Sequence, residues 1–315
     1  MYNEEIKQRF VESADNTFTL NRGRKWVFDA VSKHEEAIGK DAAEMNPSEA
    51  IKAIECSGIE ELASARQIIT TMKTYTEWCA RNQIFESIPY GFLQINVDDI
   101  DFSQTFREVL YKDDEALITD LRSVGDFDSG YIDVLVFVFS WLGLDRKEMV
   151  ALRDKDVDLE KRVISNPDGL VLASGFSDSI TDVLERYRKC QVSTRLRRTT
   201  LFEVRKDNSV DSFFKKMCSV NSKRFGQEYK VKHLENESSR LAKRFAEAGG
   251  NPNRLTINNV YRSGCLYRLW QMEQETGLDM GNMKRREYID RAFRNRKNYT
   301  NAARMYRWYK KVFWE

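Results

Sequence analysis

The stretch Phe137-Val-Phe-Ser-Trp-Leu-Gly-Leu-Asp-Arg-Lys-Glu-Met-Val-Ala-Leu-Arg-Asp-Lys-Asp-Val-Asp158 decides how the chain is read. It opens on the end of an apolar run, Ile132 to Leu142, that is too long for an ordinary strand and does not alternate with polar residues. Such a run reads as a core helix. Gly143 ends it, and Asp145 stands where an N-cap belongs, ahead of a short helix that closes at Leu152.

Downstream, Arg162 to Ile164 and Leu170 to Leu172 flank the turn Asn166-Pro-Asp-Gly169 and predict a hairpin. A helix is expected over Ser177 to Arg188 and a strand near Thr199 to Phe202. Helices are expected over Val210 to Phe225, Leu234 to Ala248, Thr256 to Glu275 and the basic, aromatic end. Upstream, Phe106 to Arg122 has helical pattern. Ile88 to Phe102, with Pro89, Gly91 and the acids Asp98, Asp99 and Asp101, reads as a linker.

Ahead of that linker stands a small helical domain. Ile6, Phe10 and Val11 share one helical face, and Trp26, Phe28, Ala30 and Val31 form another. Asn46-Pro47-Ser48-Glu49 looks like a helix start, which Ser57-Gly58 later breaks. Leu62, Ala65, Ile69, Met72 and Thr76 line one side of a long amphipathic helix ending near Arg81, while Arg66 and Lys73 project elsewhere. The expected division is residues 1–95 and 103–315. The expected fold class is mainly α with a small β-hairpin or sheet.

With 315 residues the chain suits two domains, and 41% hydrophobic content is enough for ordinary cores. Only 4 prolines and 15 glycines leave room for long helices. Five widely spaced cysteines without a Cys-x-x-Cys pair argue against a disulfide framework and a structural zinc site. No metal or cofactor is expected. The start, MYNEEIKQRF, has no apolar signal core, and the run from Tyr131 to Leu144 is too short to span a bilayer. The expectation is a soluble, cytoplasmic protein without a membrane partner.

The net charge of +2 conceals an asymmetry. From Val97 to Asp182 there are twenty acids to nine bases; from Lys284 to Glu315 there are eleven bases to three acids. Basic stretches attract polyanions, and the aromatics among them can pack on a sugar-phosphate backbone. A solvated helix face gives the same pattern.

The opening stretch is similar to the tyrosine recombinase (phage integrase) segment written as an apolar helix, then Thr-Gly-Leu-Arg-x-x-Glu-x-x-x-Leu-x-x-x-Asp. Gly143, Leu144, Glu148, Leu152 and Asp156 keep its structural positions. Leu255-Thr-Ile-Asn-Asn-Val-Tyr-Arg262 resembles that family's Leu-Thr-x-His-x-x-Arg helix start. Ala302-Ala-Arg-Met-Tyr306 resembles the stretch holding its nucleophile. Met45 to Ile51 and Ile68 to Trp78 resemble its SAM-like core-binding domain, which clamps DNA. The resemblance covers nearly the whole chain.

The departures lie where the chemistry would be. Cleavage in that family needs two arginines and one or two histidines to neutralise the phosphorane-like transition state, a lysine to protonate the leaving oxygen, and a tyrosine to attack. Here the first arginine position is Asp145, Asn259 replaces the first histidine, and no lysine lies in the Asn166 to Gly169 turn. Lys297 or a neighbour stands near the second histidine position, and the only histidines, His34 and His233, are far from every motif. Arg262 and Tyr306 remain.

The resemblance therefore implies a sequence-specific double-stranded DNA-binding protein without recombinase activity, a phage transcriptional repressor maintaining lysogeny at operator sites in a bacterial host, associated with the nucleoid. Contacts to DNA are expected from Arg66, Lys73, Arg262, Arg294, Arg296, Lys297, Arg304 and Arg307. Arg195, Arg197 and Arg198 join them from a loop, and Lys284, Arg285 and Arg286 from a helix start. Trp308, Phe313 and Trp314 either anchor the tail in its own core or dock in a neighbouring subunit, giving self-association. Two alternatives stay open: an active recombinase using Tyr306, and a protein-interaction scaffold that modulates an integrase.

Overall fold

The computed structural model describes residues 1–13, 18–59, 62–124, 132–197, 200–218, 226–282, 286–294 and 302–315. The chain divides into two compact units, Met1–Phe106 and Arg107–Glu315.

The first unit is helical: α1 (Glu4–Glu12), α2 (Phe18–Ile38), α3 (Pro47–Glu55), α4 (Leu62–Arg81) and the single turn α5 (Gly91–Gln94). The helix start read at Asn46 is a capping box. Its side chain accepts from the Glu49 amide at 3.0 Å while Glu49 accepts from the Asn46 amide at 2.9 Å. Phe10, Phe28 and Tyr75 meet edge to face with ring centroids 5.1–6.0 Å apart. Leu62, Ala65, Ile69, Met72 and Thr76 are all buried, as their spacing predicts.

Residues 88–102 are not a linker. Phe92, Ile95, Val97, Ile100 and Phe102 are buried, the Gly91 amide donates to the Met45 carbonyl at 3.1 Å, and the Asp101 amide donates to Glu55 at 3.0 Å. Asp98, Asp99 and Asp101 are exposed among the buried Val97, Ile100 and Phe102, so the segment keeps charge in water while packing apolar side chains into the unit. The division consequently falls after Phe106 rather than between residues 95 and 103, inside α6 (Ser103–Val109).

The second unit continues with α7 (Asp114–Val124), so the helical pattern from Phe106 to Arg122 is two helices. Next come α8 (Ile132–Trp141) and α9 (Arg146–Ala151). Strands β1 (Val157–Asp158), β2 (Val163–Ser165) and β3 (Val171–Ser174) form an antiparallel sheet in that order, with the expected hairpin as its second half. After α10 (Asp178–Lys189), a second antiparallel sheet is made of β4 (Val192–Arg197), β5 (Thr200–Lys206) and β6 (Met217–Cys218). Helices α11 (Val231–Glu247), α12 (Ile257–Thr276), α13 (Arg286–Phe293) and α14 (Ala302–Phe313) complete it. The fold class is thus mainly α with small sheets.

The apolar run does what its composition requires. Val134 to Phe139 are buried without exception, and α11 and α12 pack on α8. Gly264 of α12 lies so close to α8 that a Cβ there would sit 2.0 Å from the Trp141 carbonyl oxygen. Gly143 takes a φ of 91°, and the Leu144 amide reaches back to the Phe139 carbonyl at 2.9 Å, closing α8 with a Schellman-type turn.

The helix expected over Val210 to Phe225 is overturned within the described residues, which reach Cys218. The Phe213 amide donates to the Leu152 carbonyl at 2.8 Å. The Tyr187 hydroxyl donates to the Phe213 carbonyl at 2.7 Å and accepts from the Lys215 amide at 2.8 Å. These backbone groups are spent on tertiary partners, so no i→i−4 ladder forms there.

Candidate nucleic-acid interface

Asp145 is the N-cap of α9. Its Oδ1 accepts from the Lys147 and Glu148 amides, each at 2.8 Å, and its own amide donates to Glu148 at 2.7 Å. The carboxylate is turned toward the helix backbone. The following side chain, Arg146, projects into a cleft of about 350 Å³ lined by Phe137, Ala242, Leu255, Ser238, Ser239 and the first turn of α12. Across it Glu235 of α11 accepts from Arg146 Nη1 at 2.5 Å.

Beside that cleft, α12 carries two of the residues singled out in the sequence. The Thr256 hydroxyl caps the helix by accepting from the Asn259 amide at 3.2 Å. Asn259 is buried; its Nδ2 donates to the Asn253 carbonyl at 2.8 Å, and its Oδ1 accepts from Arg262 Nη1 at 3.1 Å. The Asn259 amide thus ties the loop before α12 to the helix and orients Arg262.

Tyr306 lies elsewhere in the packing. Its side chain is fully buried in α14, next to Glu273 of α12. Burial pushes its hydroxyl well above the usual tyrosine range, and the Glu273 carboxylate pushes the same way. Glu273 is itself partly buried, but hydrogen bonds from Lys310 at 2.7 Å and from the Met280 amide at 2.9 Å hold its carboxyl below the usual range.

The basic residues divide by what they already hold. Arg294 makes a bidentate pair with Glu148, at 2.7 and 2.9 Å, and also donates to the Gly143 carbonyl at 3.2 Å. Its fork is spent on joining the end of α13 to the α8–α9 turn. Arg286 opens α13 as expected, is exposed, and lies 3.8 Å from Asp290. Arg66 is exposed and Lys73 half-exposed on α4. Arg307 is exposed on α14 with its stem over Gly281, and Arg304 is half-buried.

Arg195 and Arg197 are not in a loop; they belong to β4, opposite Phe202 and Thr200 of β5. Arg198, Lys284, Arg285, Arg296 and Lys297 lie outside the described residues. At the end of the chain Trp314 stacks on Trp270 of the same chain, centroids 3.8 Å apart, with Lys112 Nζ 4.5 Å above the Trp314 ring.

Arg146 was missed in the sequence. The motif draws the eye to position 145, and the cation one residue later looks like any exposed helix charge. The cap at Asp145 sets the start of the helix from which Arg146 reaches the cleft.

Residues 1–81, about a quarter of the chain, match the family model described as "MrpR, N-terminal core-binding domain". Among solved structures, the chain aligns with XerA recombinase at 15% identity and a TM-score of 0.38, over 97% of this chain and 92% of that one. It aligns with residues 82–397 of the Tn1549 transposon integrase, in complex with circular intermediate DNA, at 13% identity and a TM-score of 0.36, over 96% and 94%. No curated protein matches the chain. Among the described residues no helix is long and apolar enough to cross a membrane.

Proposed function

We propose that this chain is a sequence-specific double-stranded DNA-binding protein built on a tyrosine recombinase scaffold, acting as a phage transcriptional repressor without strand-cleaving activity. The chain resembles the integrase-like lysogeny repressor of SPβ-type Bacillus phages, and on that reading it acts on operators in the bacterial cytoplasm. The match of residues 1–81 to a core-binding domain supports the gripping of DNA.

The observation that carries the reading is Tyr306. Strand cleavage needs a tyrosine that is reachable and activated, and donors that meet the charge growing on phosphate. Here the tyrosine is enclosed beside Glu273. The first arginine position is a carboxylate committed to a helix cap. Phosphate contacts would then supply affinity and register, and a few side chains at base edges would supply specificity.

A gel-shift series on host and phage promoter DNA at several salt concentrations tests this, because each phosphate contact adds about 0.9 to the log–log salt slope. Retarded complexes that weaken steeply with salt are expected. Arg262→Ala should loosen them and Tyr306→Phe should not. A nicked suicide substrate should yield no covalent adduct. An adduct that disappears in Tyr306→Phe would overturn the non-cleaving reading, and an unretarded duplex at low salt would overturn the DNA-binding one.

A further inference from the structure

We propose that Arg146 is a phosphate-binding residue held in reserve by Glu235, so that Glu235 limits how tightly the chain grips a duplex. The proposal rests on the DNA-binding reading and names a contact and a restraint within it.

Three features of the pair carry the inference. First, it is monodentate: Nη1 of Arg146 meets Oε1 of Glu235 at 2.5 Å, and the guanidinium makes no other hydrogen bond among the described residues. Most of a five-donor fork is left for another partner. Second, the side chains keep 37% and 44% of their exposure, so each can be released into water without a buried charge being stranded. Pairs of this kind contribute little to folding. Third, the pair spans a cleft lined also by Phe137, Ala242, Leu255 and the first turn of α12, together with Ser238 and Ser239, whose hydroxyls donate to the Glu235 carbonyl at 2.9 and 2.8 Å. An oxyanion entering there meets Arg146 directly.

A phosphodiester is the better partner for such an arginine. It accepts a bidentate fork, and on a duplex its neutralisation releases condensed counterions. Glu235 opposes this twice: it occupies Arg146, and its charge repels the entering anion. Arg294 shows the contrasting case, since its bidentate hold on Glu148 and its bond to Gly143 leave it committed to the fold.

The test is a double-mutant cycle in fluorescence anisotropy, using the full chain and a mixed-sequence DNA duplex over a range of salt. Circular dichroism melts confirm that each surface variant is folded. Glu235→Gln should tighten binding about threefold, the scale of one exposed ion pair. Arg146→Ala should weaken it by a similar factor and lower the salt slope by about one. With Arg146→Ala already present, the gain from Glu235→Gln should disappear, giving a measurable coupling between the two positions. A gain of equal size in both backgrounds would mean that Glu235 acts only as a bare charge and would overturn the proposal. So would an Arg146→Ala chain with wild-type affinity and slope. If the wild-type chain leaves the duplex free at low salt, the DNA-binding reading itself falls, which is a separate result.

Discussion

The molecule holds cations against carboxylates in two contrasting ways. In the first unit, Lys7 is wholly buried; its Nζ donates to Glu35 at 2.5 and 2.6 Å and to the Tyr2 carbonyl at 2.6 Å, with Asp41 at 4.0 Å. Glu35 also accepts from the Ala42 amide at 2.9 Å, and Asp41 accepts from Asn3 and Tyr75 at 3.1 and 3.2 Å. Every group has several partners, and α1, α2, α4 and the turn at 42–44 are joined through them. At the cleft of the second unit, Arg146 and Glu235 have one hydrogen bond between them, and both side chains stay more than a third exposed. The difference teaches that charge type does not reveal role. Partner number and exposure do: a buried, multiply bonded charge is architecture, and a singly bonded exposed one is free to change partner.

The largest effect should come from breaking the buried network. Lys7→Met strands two carboxylates in the core and should cost about 3–5 kcal/mol, read as a shift in urea unfolding at neutral pH. Lys7→Met combined with Glu35→Met should recover part of that loss, because the apolar replacement removes the orphaned charge with its partner. If Lys7→Met alone were as mild as a surface change, the first half of the comparison would be lost.

A second effect is set by pH. Burial raises the Glu35 carboxyl to about 6 from 4.5, against the opposing pull of Lys7. A carboxyl raised on folding contributes stability that is complete below the unfolded value and lost as pH rises through the folded one. Wild type should therefore gain up to about 2 kcal/mol relative to Glu35→Gln as pH falls from 7 toward 4.5. A flat difference in paired urea melts, or one of opposite sign, would show that the ammonium outweighs desolvation.

Much of this architecture could be read from sequence where a signal is local. Asn46 with Glu49 and Asp145 with Glu148 are capping boxes whose residues are three apart, and the run Ile132 to Trp141 admits little but a buried helix. What escaped depends on distant partners. Residues 211–216 lose their helix to Leu152 and Tyr187. Residues 88–102 look like a linker because Pro89, Gly91 and the acids Asp98, Asp99 and Asp101 stand among them, yet Phe92, Ile95, Val97, Ile100 and Phe102 are buried. Lys7, with Glu4, Glu5, Gln8 and Arg9 close by in the chain, has the local pattern of a solvated face; only its meeting with Glu35, 28 residues on, makes it core. Of the candidate site, the cap role of Asp145 was legible, whereas the enclosure of Tyr306 and the aim of Arg146 arise from helix packing.

The smallest effect separates shape from charge at Asp145. Its carboxylate serves as a cap through Oδ1, which an asparagine can reproduce and an alanine cannot. Asp145→Ala should cost about 1 kcal/mol of stability, whereas Asp145→Asn should cost only a few tenths, roughly the helix-dipole contribution of one surface charge. DNA affinity should move differently. Asp145→Asn removes an anion beside the Arg146 cleft while keeping the cap, so binding should tighten slightly at low salt and the gain should fade as salt rises. Asp145→Ala loses the cap that sets the start of the helix carrying Arg146, so its binding should not tighten even though the same charge is gone. Equal tightening by both variants would mean that charge alone matters there and that the α9 cap has no part in placing Arg146.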